Sequence, residues 1–328
     1  MTSVERDSYV YPASDEYPQP AGADVHWQES LLVHWWDQSN GIGGMHRIAR
    51  EPHRAGGRAV LFFGVVTREG LRFNRYLNVP SRPDDLLTDG LQVGPSYRMT
   101  VGEGPRLVAN DAGCELDLRF EDTMPRVDLV AVPADKSFHV LAPSHFEVAG
   151  RVTGTVTLQG RTYRIENGLC TRDHSWGQRD WAKLLGHRWV SGWFGPDVTF
   201  AVGSALLGNG GLTSFGFISR KGVVSYAERV DILARTEMDG LSHRGGVIRL
   251  DMADGSVAEI DAYRPINGIA FSHHGLMFAQ ELCDARLDGR EGQCTFEITT
   301  RPTDLEHLSK VLIRVSPQQG WSQRPWSL

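Results

Sequence analysis

The residues best able to do chemistry are concentrated in one segment, Arg172-Asp173-His174-Ser175-Trp176-Gly177. Four of the nine tryptophans, Trp176, Trp181, Trp189 and Trp193, fall within eighteen residues here. Interleaved with them are Arg172, Asp173, His174, Arg179, Asp180 and Arg188. An aromatic wall with a few ionisable groups set into it is what a pocket for an apolar molecule requires. In an extended segment, side chains alternate, so Arg172, His174 and Trp176 share one face and Asp173 and Ser175 the other. An imidazole beside an indole in an apolar cavity suits proton transfer near neutrality. Trp176 can shield a developing cation with its ring face. Asp173 and Asp180 can hold the histidine or an arginine in place. The same residues also admit a structural reading, with Asp173 capping a turn, Trp176 filling the core and Arg179 pairing with Asp180 at the surface.

The elements around this segment read as strands. Ala59–Thr67 is an apolar run, and Leu71–Val79 follows the turn Glu69-Gly70. Cys114, Leu116, Leu118 and Phe120 alternate with Glu115, Asp117 and Arg119, the pattern of a half-buried strand. A longer extended stretch through Phe146, Val148, Val152, Val156 and Leu158 ends at Gln159-Gly160 and resumes with Tyr163 and Ile165. Val198–Leu207, Leu212–Ser219 and Val223–Ile232 form a meander, and Ile248–Met252, Val257–Tyr263 and Cys294–Thr299 add short strands. Trp27–Trp36 reads as a helix or an irregular strand, and Thr303-x-x-Glu306 as a capping box that opens a short helix. The expectation is an all-β protein of two antiparallel β-barrel or β-sandwich domains in tandem. Residues 1–24, polar and proline-bearing, read as a flexible arm, 25–165 as the first domain and 166–328 as the second.

Composition narrows the function classes. The chain carries 41% hydrophobic and 23% charged residues and a net charge of −6, and its basic residues, nearly all arginine, never run longer than two. That excludes a nucleic-acid footprint and a polybasic membrane patch. Cys114, Cys170, Cys283 and Cys294 lack CxxC spacing and read as reduced, mostly buried thiols. The N-terminus has no apolar h-region and no apolar run is long enough to span a bilayer, so a cytoplasmic location is expected. His273-His274 would point to opposite faces of a strand, and no His-Glu-x-x-His or His-x-His occurs, so no metal is expected. Dinucleotide, P-loop and nucleophile-elbow motifs are also missing. His34, beside Trp35-Trp36, reads as a second pocket group or a structural histidine. Tyr226 and Glu228 share a strand face, and Tyr226 is a candidate lining residue.

The string Asp173-His174-Ser175-Trp176-Gly177-Gln178-Arg179-Asp180-Trp181 resembles the DHSWG-x-RDW signature of a lipocalin-like superfamily. That superfamily includes carotenoid 1,2-hydratases, kievitone-hydratase-like proteins and fungal Diels–Alderases. Trp35-Trp36-Asp37, Gly41-Ile42-Gly43-Gly44 and Gly292-Gln293-Cys294-Thr295-Phe296-Glu297 resemble its bacterial branch. The resemblance implies lipocalin-like domains with a ligand pocket at or between them. The functional His-x-Trp pair of the hydratases is similar to His174 and Trp176. Their Tyr-x-Asp pair has no counterpart, since Ala201 and Gly203 stand in the corresponding region.

The resulting expectation is a cofactor-independent enzyme acting on a small hydrophobic alkene-bearing terpenoid, polyketide, steroid or aromatic. The reaction would be hydration, dehydration, isomerisation or cyclisation. His174 is the expected acid or base, oriented by Asp173. Trp176, Trp193, Trp181, Trp36, His34 and Tyr226 would contact substrate, and Arg179 and Asp180 would support the segment. The alternative is a non-catalytic binder or carrier of a hydrophobic molecule. The expected partner is that small molecule, with no nucleic acid and no integral membrane segment; a homodimer is compatible with the sequence.

Overall fold

The computed structural model describes residues 10–129, 143–237 and 241–301. Its chain falls into two compact units, residues 10–129 with 143–179 and residues 180–301. Both are built of antiparallel strands, so the expected tandem all-β architecture is what is found. No helix of the described residues is long and apolar enough to cross a membrane.

Among the described residues, the first unit is a twelve-stranded open half-barrel. Its centre is formed by β1 (Trp27–Asp37), β2 (Ile42–Glu51), β3 (Arg58–Thr67) and β4 (Arg72–Pro80) on one side. On the other side lie β11 (Ser144–Leu158) and β12 (Arg161–Gln178), followed by β9 (Cys114–Asp122). The short strands β5 (Leu86–Leu87), β6 (Gly90–Val93), β7 (Tyr97–Thr100) and β8 (Arg106–Asp111) continue the sheet, and β10 (Val127–Asp128) pairs with β11. β12 is the long central strand, pairing β1 on one edge and β11 on the other. The β11–β12 turn places Gln159 at φ 50° and Gly160 at φ 83°, the twist that a two-residue hairpin favours. β9 alternates as its sequence suggests, with Cys114, Leu116, Leu118 and Phe120 buried.

Several expectations resolve differently. The stretch Trp27–Trp36 is a strand throughout, because both of its faces are buried and a helix would offer only one apolar stripe. The division expected after residue 165 falls inside β12. The segment expected to be a loose arm is tied down from Val10 onward. Val10 bridges Val127, and Glu16, 1% exposed, meets Arg126 at 2.6 Å and Arg172 at 3.0 Å. The capping box at Thr303 lies outside the described residues.

The second unit is a closed barrel of β13 (Leu184–Trp193), β14 (Val198–Leu207), β15 (Leu212–Arg220), β16 (Val223–Thr236), β17 (His243–Met252), β18 (Val257–His273), β19 (Leu276–Leu287) and β20 (Arg290–Thr300). The expected meander is β14–β15–β16. β18 runs ten residues beyond the strand expected to end at Tyr263, past two register shifts. His273 closes β18 and is buried, while His274 adopts φ 52° in the turn. Their rings therefore lie 3.8 Å apart instead of on opposite strand faces. All four cysteines are buried and unbridged.

Candidate functional site

β12 presents its chemistry on two faces, as strand alternation requires. One face belongs to the apolar core of the first unit, where His174, Arg172 and Cys170 lie opposite Leu31, Val33 and Trp35 of β1. Here His174 is 2% exposed, and both ring nitrogens are engaged. Nε2 lies 2.9 Å from Glu29 Oε1, and Nδ1 lies 3.0 Å from the Asp15 carbonyl. Glu29 also accepts from the Gln19 amide at 2.7 Å and pairs with Arg50 at 2.6 Å. Arg172 is saturated by Asp122 and Glu16. Burial alone would raise the Glu16 carboxyl, but Arg172 and Arg126 bring it below its ordinary value. Trp176 packs against His174 at 4.7 Å and against Tyr11 at 5.5 Å between ring centroids. This face fastens the N-terminal segment, and no ring nitrogen of His174 is turned toward open space.

The other face carries a different set, buried and ionisable. Asp173 lies opposite Leu32 of β1 and opposite Glu147 of β11. His145, two residues before Glu147 and therefore on the same face, brings its Nε2 to 3.6 Å from the Asp173 carboxylate. That spacing is a close electrostatic contact, longer than a hydrogen bond. Ser175 Oγ meets Ser30 Oγ at 3.0 Å and accepts from Arg179 at 3.0 Å. His34 and Trp36 alternate onto this face from β1, and Trp36 Nε1 donates to Gln38 at 2.9 Å.

Electrostatics separate these groups. Glu147 is 2% exposed, and its Oε2 has no hydrogen-bond partner among the described residues. Burial, reinforced by the Asp173 charge, pushes its carboxyl well above the usual range. Burial would also raise Asp173, but His145, with smaller contributions from His34 and Arg179, brings it below its ordinary value. The Arg179 guanidinium is pulled down to about 9 by burial and then by Arg47, against the opposing charges of Asp173 and Glu51. A carboxyl pushed up by burial thus stands directly across the strand pair from one held below its ordinary value. Pairs of carboxyls whose environments drive them apart are the usual structural basis of acid and base roles.

The residues singled out from sequence distribute as follows. Asp173, Arg179, His34 and Trp36 come together on the Glu147 face. His174 and Trp176 lie on the opposite face, so Asp173 does not orient His174; Glu29 holds it instead. Asp180, Trp181, Trp193 and Tyr226 belong to the second unit. Asp180 caps the 3-10 turn Trp181–Lys183 by accepting from Ala182 N at 3.0 Å. Trp181 packs on His273 and Phe278. Trp193 is 2% exposed, with Nε1 lacking a partner among the described residues. Tyr226 is half-buried and lies opposite Phe217, on the side of the wall away from Ile218 and the barrel core. Sequence reasoning missed Glu147, His145 and Glu29. The pattern His145-x-Glu147 on an extended run was the available signal for the first two.

Solved structures share this fold at low identity. A protein assigned as AttH from Nitrosomonas europaea superposes with a TM-score of 0.65 at 11% identity, covering 88% of this chain and 96% of that one. Kievitone hydratase from Nectria haematococca gives 0.61 at 11% identity, covering 89% and 93%. CghA solved with Sch210972 gives 0.61 at 14% identity, covering 84% and 89%. Comparison with curated protein sequences finds no match. One family model, described as a domain of unknown function, DUF7064, matches residues 12–302, and the chain belongs to that family.

Proposed function

We propose that the chain is a cofactor-independent enzyme that performs acid–base chemistry on a small hydrophobic, alkene-bearing molecule at the Asp173 face of the first sheet. The observation that carries this reading is the opposed pair Glu147 and Asp173. Glu147, kept protonated by burial, donates its proton to an alkene carbon. The cation that forms is captured by water, and the proton that water loses goes to His145, oriented by ionised Asp173. Return of that proton to Glu147 closes the cycle, and the net change is addition of one water. Run backwards, the same steps eliminate water. With no water admitted, loss of a different proton from the cation gives an isomer or a cyclised product. Trp36 and the apolar positions of the face supply the walls. The fold shared with a kievitone hydratase and with CghA, solved with Sch210972, supports this class of reaction. His174 becomes a positioning residue, because its ring nitrogens are occupied.

The test is incubation of the full-length protein with an apolar metabolite extract of its source cells in deuterated water, read by mass spectrometry. A compound that gains deuterium, or changes by the mass of water, with the wild type and not with Glu147→Gln is the expected result. Equal turnover by Glu147→Gln would overturn the assignment. A compound retained unchanged by both forms would favour a carrier.

A further inference from the structure

The proposed acid and base both sit at the start of β11, where the sheet around them changes. β12 borders this stretch on one side, with His145 opposite Ser175 and Glu147 opposite Asp173. On the other side β9 pairs only as far as Gly150. Beyond it the edge passes to β10, whose Val127 and Asp128 pair with Glu147 and Phe146. Leu129 N then donates to the His145 carbonyl at 2.9 Å. In an antiparallel ladder, a residue that receives such a bond returns one to the same strand through its own N–H. Here the His145 N–H donates instead to the Tyr11 phenol oxygen, at 3.2 Å. A side chain from the N-terminal segment thus completes the ladder at the proposed base.

Tyr11 is itself anchored to the same edge. Its own N–H donates to the Arg126 carbonyl at 3.0 Å, and the neighbouring Val10 bridges Val127. Its ring centroid lies 5.4 Å from that of Phe146, the residue between His145 and Glu147, and 5.5 Å from that of Trp176. Burial and then the Asp128 charge push the phenol up to about 12, against hydrogen bonds from Ser144 and the His145 amide, so it stays neutral. A neutral phenol can hold the amide without placing a charge in this partly buried spot. The bond between the Asp15 carbonyl and His174 lies farther along the segment and is not on this route.

We propose that Tyr11 is a positioning residue for the Asp173 face, through which the N-terminal segment controls the alignment of the acid and base. This rests on the acid–base reading of Glu147, His145 and Asp173. Tyr11 acts through the backbone. Holding the His145 N–H fixes the first residues of β11, and with them the His145 ring 3.6 Å from the Asp173 carboxylate. Without the phenol oxygen that N–H loses its partner, and the strand end that β9 does not border frays. His145 then drifts from Asp173, whose ionisation it favours. A displacement of this kind lowers turnover without altering the walls that bind substrate.

The experiment is Tyr11→Phe in the full chain, which keeps the ring and removes the oxygen, with Tyr17→Phe on the same segment as the control. Circular dichroism checks that both fold. Two NMR readouts need no substrate, so they stand or fall apart from the catalytic reading, which Glu147→Gln tests. Amide hydrogen exchange at His145 speeds up about tenfold or more in Tyr11→Phe, while residues 150–158, bordered by β9, keep their rates. The titration midpoint of Asp173, read from its carboxyl carbon and assigned with Asp173→Asn, moves up toward the ordinary carboxylate range. Tyr17→Phe changes neither. Once a substrate is known, kcat of Tyr11→Phe falls about tenfold or more with KM little changed. Unchanged exchange at His145, an unchanged Asp173 midpoint, or equal effects in Tyr17→Phe overturns the proposal. If Tyr11→Phe does not fold, exchange in the wild type decides: a protected His145 amide supports the proposal, and one that exchanges as fast as an exposed amide overturns it.

Discussion

Glu147 and Asp173 occupy directly opposed positions on β11 and β12, and their carboxyls are driven in opposite directions. The difference comes from what surrounds each one. Asp173 has the His145 imidazole at 3.6 Å, whereas Glu147 Oε2 has no partner among the described residues. Once Asp173 is ionised, its charge adds to the cost of ionising Glu147, so the two assignments reinforce each other.

Replacing Glu147 by Gln keeps the shape of the side chain and removes the transferable proton. With the substrate from the deuterium experiment, kcat should fall by about 10²–10⁴-fold, the usual worth of a general acid. KM should change little, because binding depends on the walls. A fall in kcat below about threefold would remove Glu147 from the mechanism.

The same pair predicts a dependence of stability on pH. The folded pKa of Glu147 is raised, so above about pH 4.3 the unfolded chain releases a proton that the folded chain keeps. Stability therefore falls as pH rises through that window, by up to about 1.4 kcal/mol per pH unit until the folded carboxyl also ionises. Asp173, whose folded pKa is depressed, has the opposite sign. Its contribution is present above about pH 3.9 and is lost as pH falls through its folded value. Glu147→Gln should thus be more stable than the wild type at pH 7–8, with the gain vanishing toward pH 4. Urea midpoints at several pH values measure this directly, and a gain that does not vary with pH would contradict the burial argument.

Alternation along residues 172–176 was legible because a strand imposes it whatever the tertiary fold. The meander of the second unit was legible for the same reason, through runs separated by Gly-containing turns. Which groups would meet across strands was not. His174 finds Glu29 from 145 positions away, and Asp173 finds His145 through a register that no local pattern encodes. The N-terminal segment was misjudged because proline and acidic residues read as loose. Glu16 is instead drawn into the core by Arg126 and Arg172, partners whose charge is evident in the sequence but whose location is not.

Gly177 is required by the path of the chain at the end of β12. Its φ is 113°, outside the range that a residue with a Cβ adopts readily, and a Cβ there would collide with the Pro143 ring. Gly177→Ala should destabilise the protein by about 1–3 kcal/mol. The loss should appear as a lowered urea midpoint with an unchanged slope. An Ala variant as stable as the wild type would mean that the strand end can adjust without strain.

His174→Ala separates a positioning role from a catalytic one. The substitution removes the donor to the Asp15 carbonyl and one of the two partners of the buried Glu29 Oε1. Arg50 and the Gln19 amide still hold Glu29, so the loss should be smaller than that of an isolated buried pair, about 2–4 kcal/mol. The N-terminal segment, which meets this histidine through Asp15, should become the first site of limited proteolysis. Turnover per folded molecule should stay within about threefold of the wild type, because the acid and base of the proposed reaction lie on the other face of β12. A variant that keeps its full stability and protease resistance but loses turnover a hundredfold would return His174 to the centre of the chemistry.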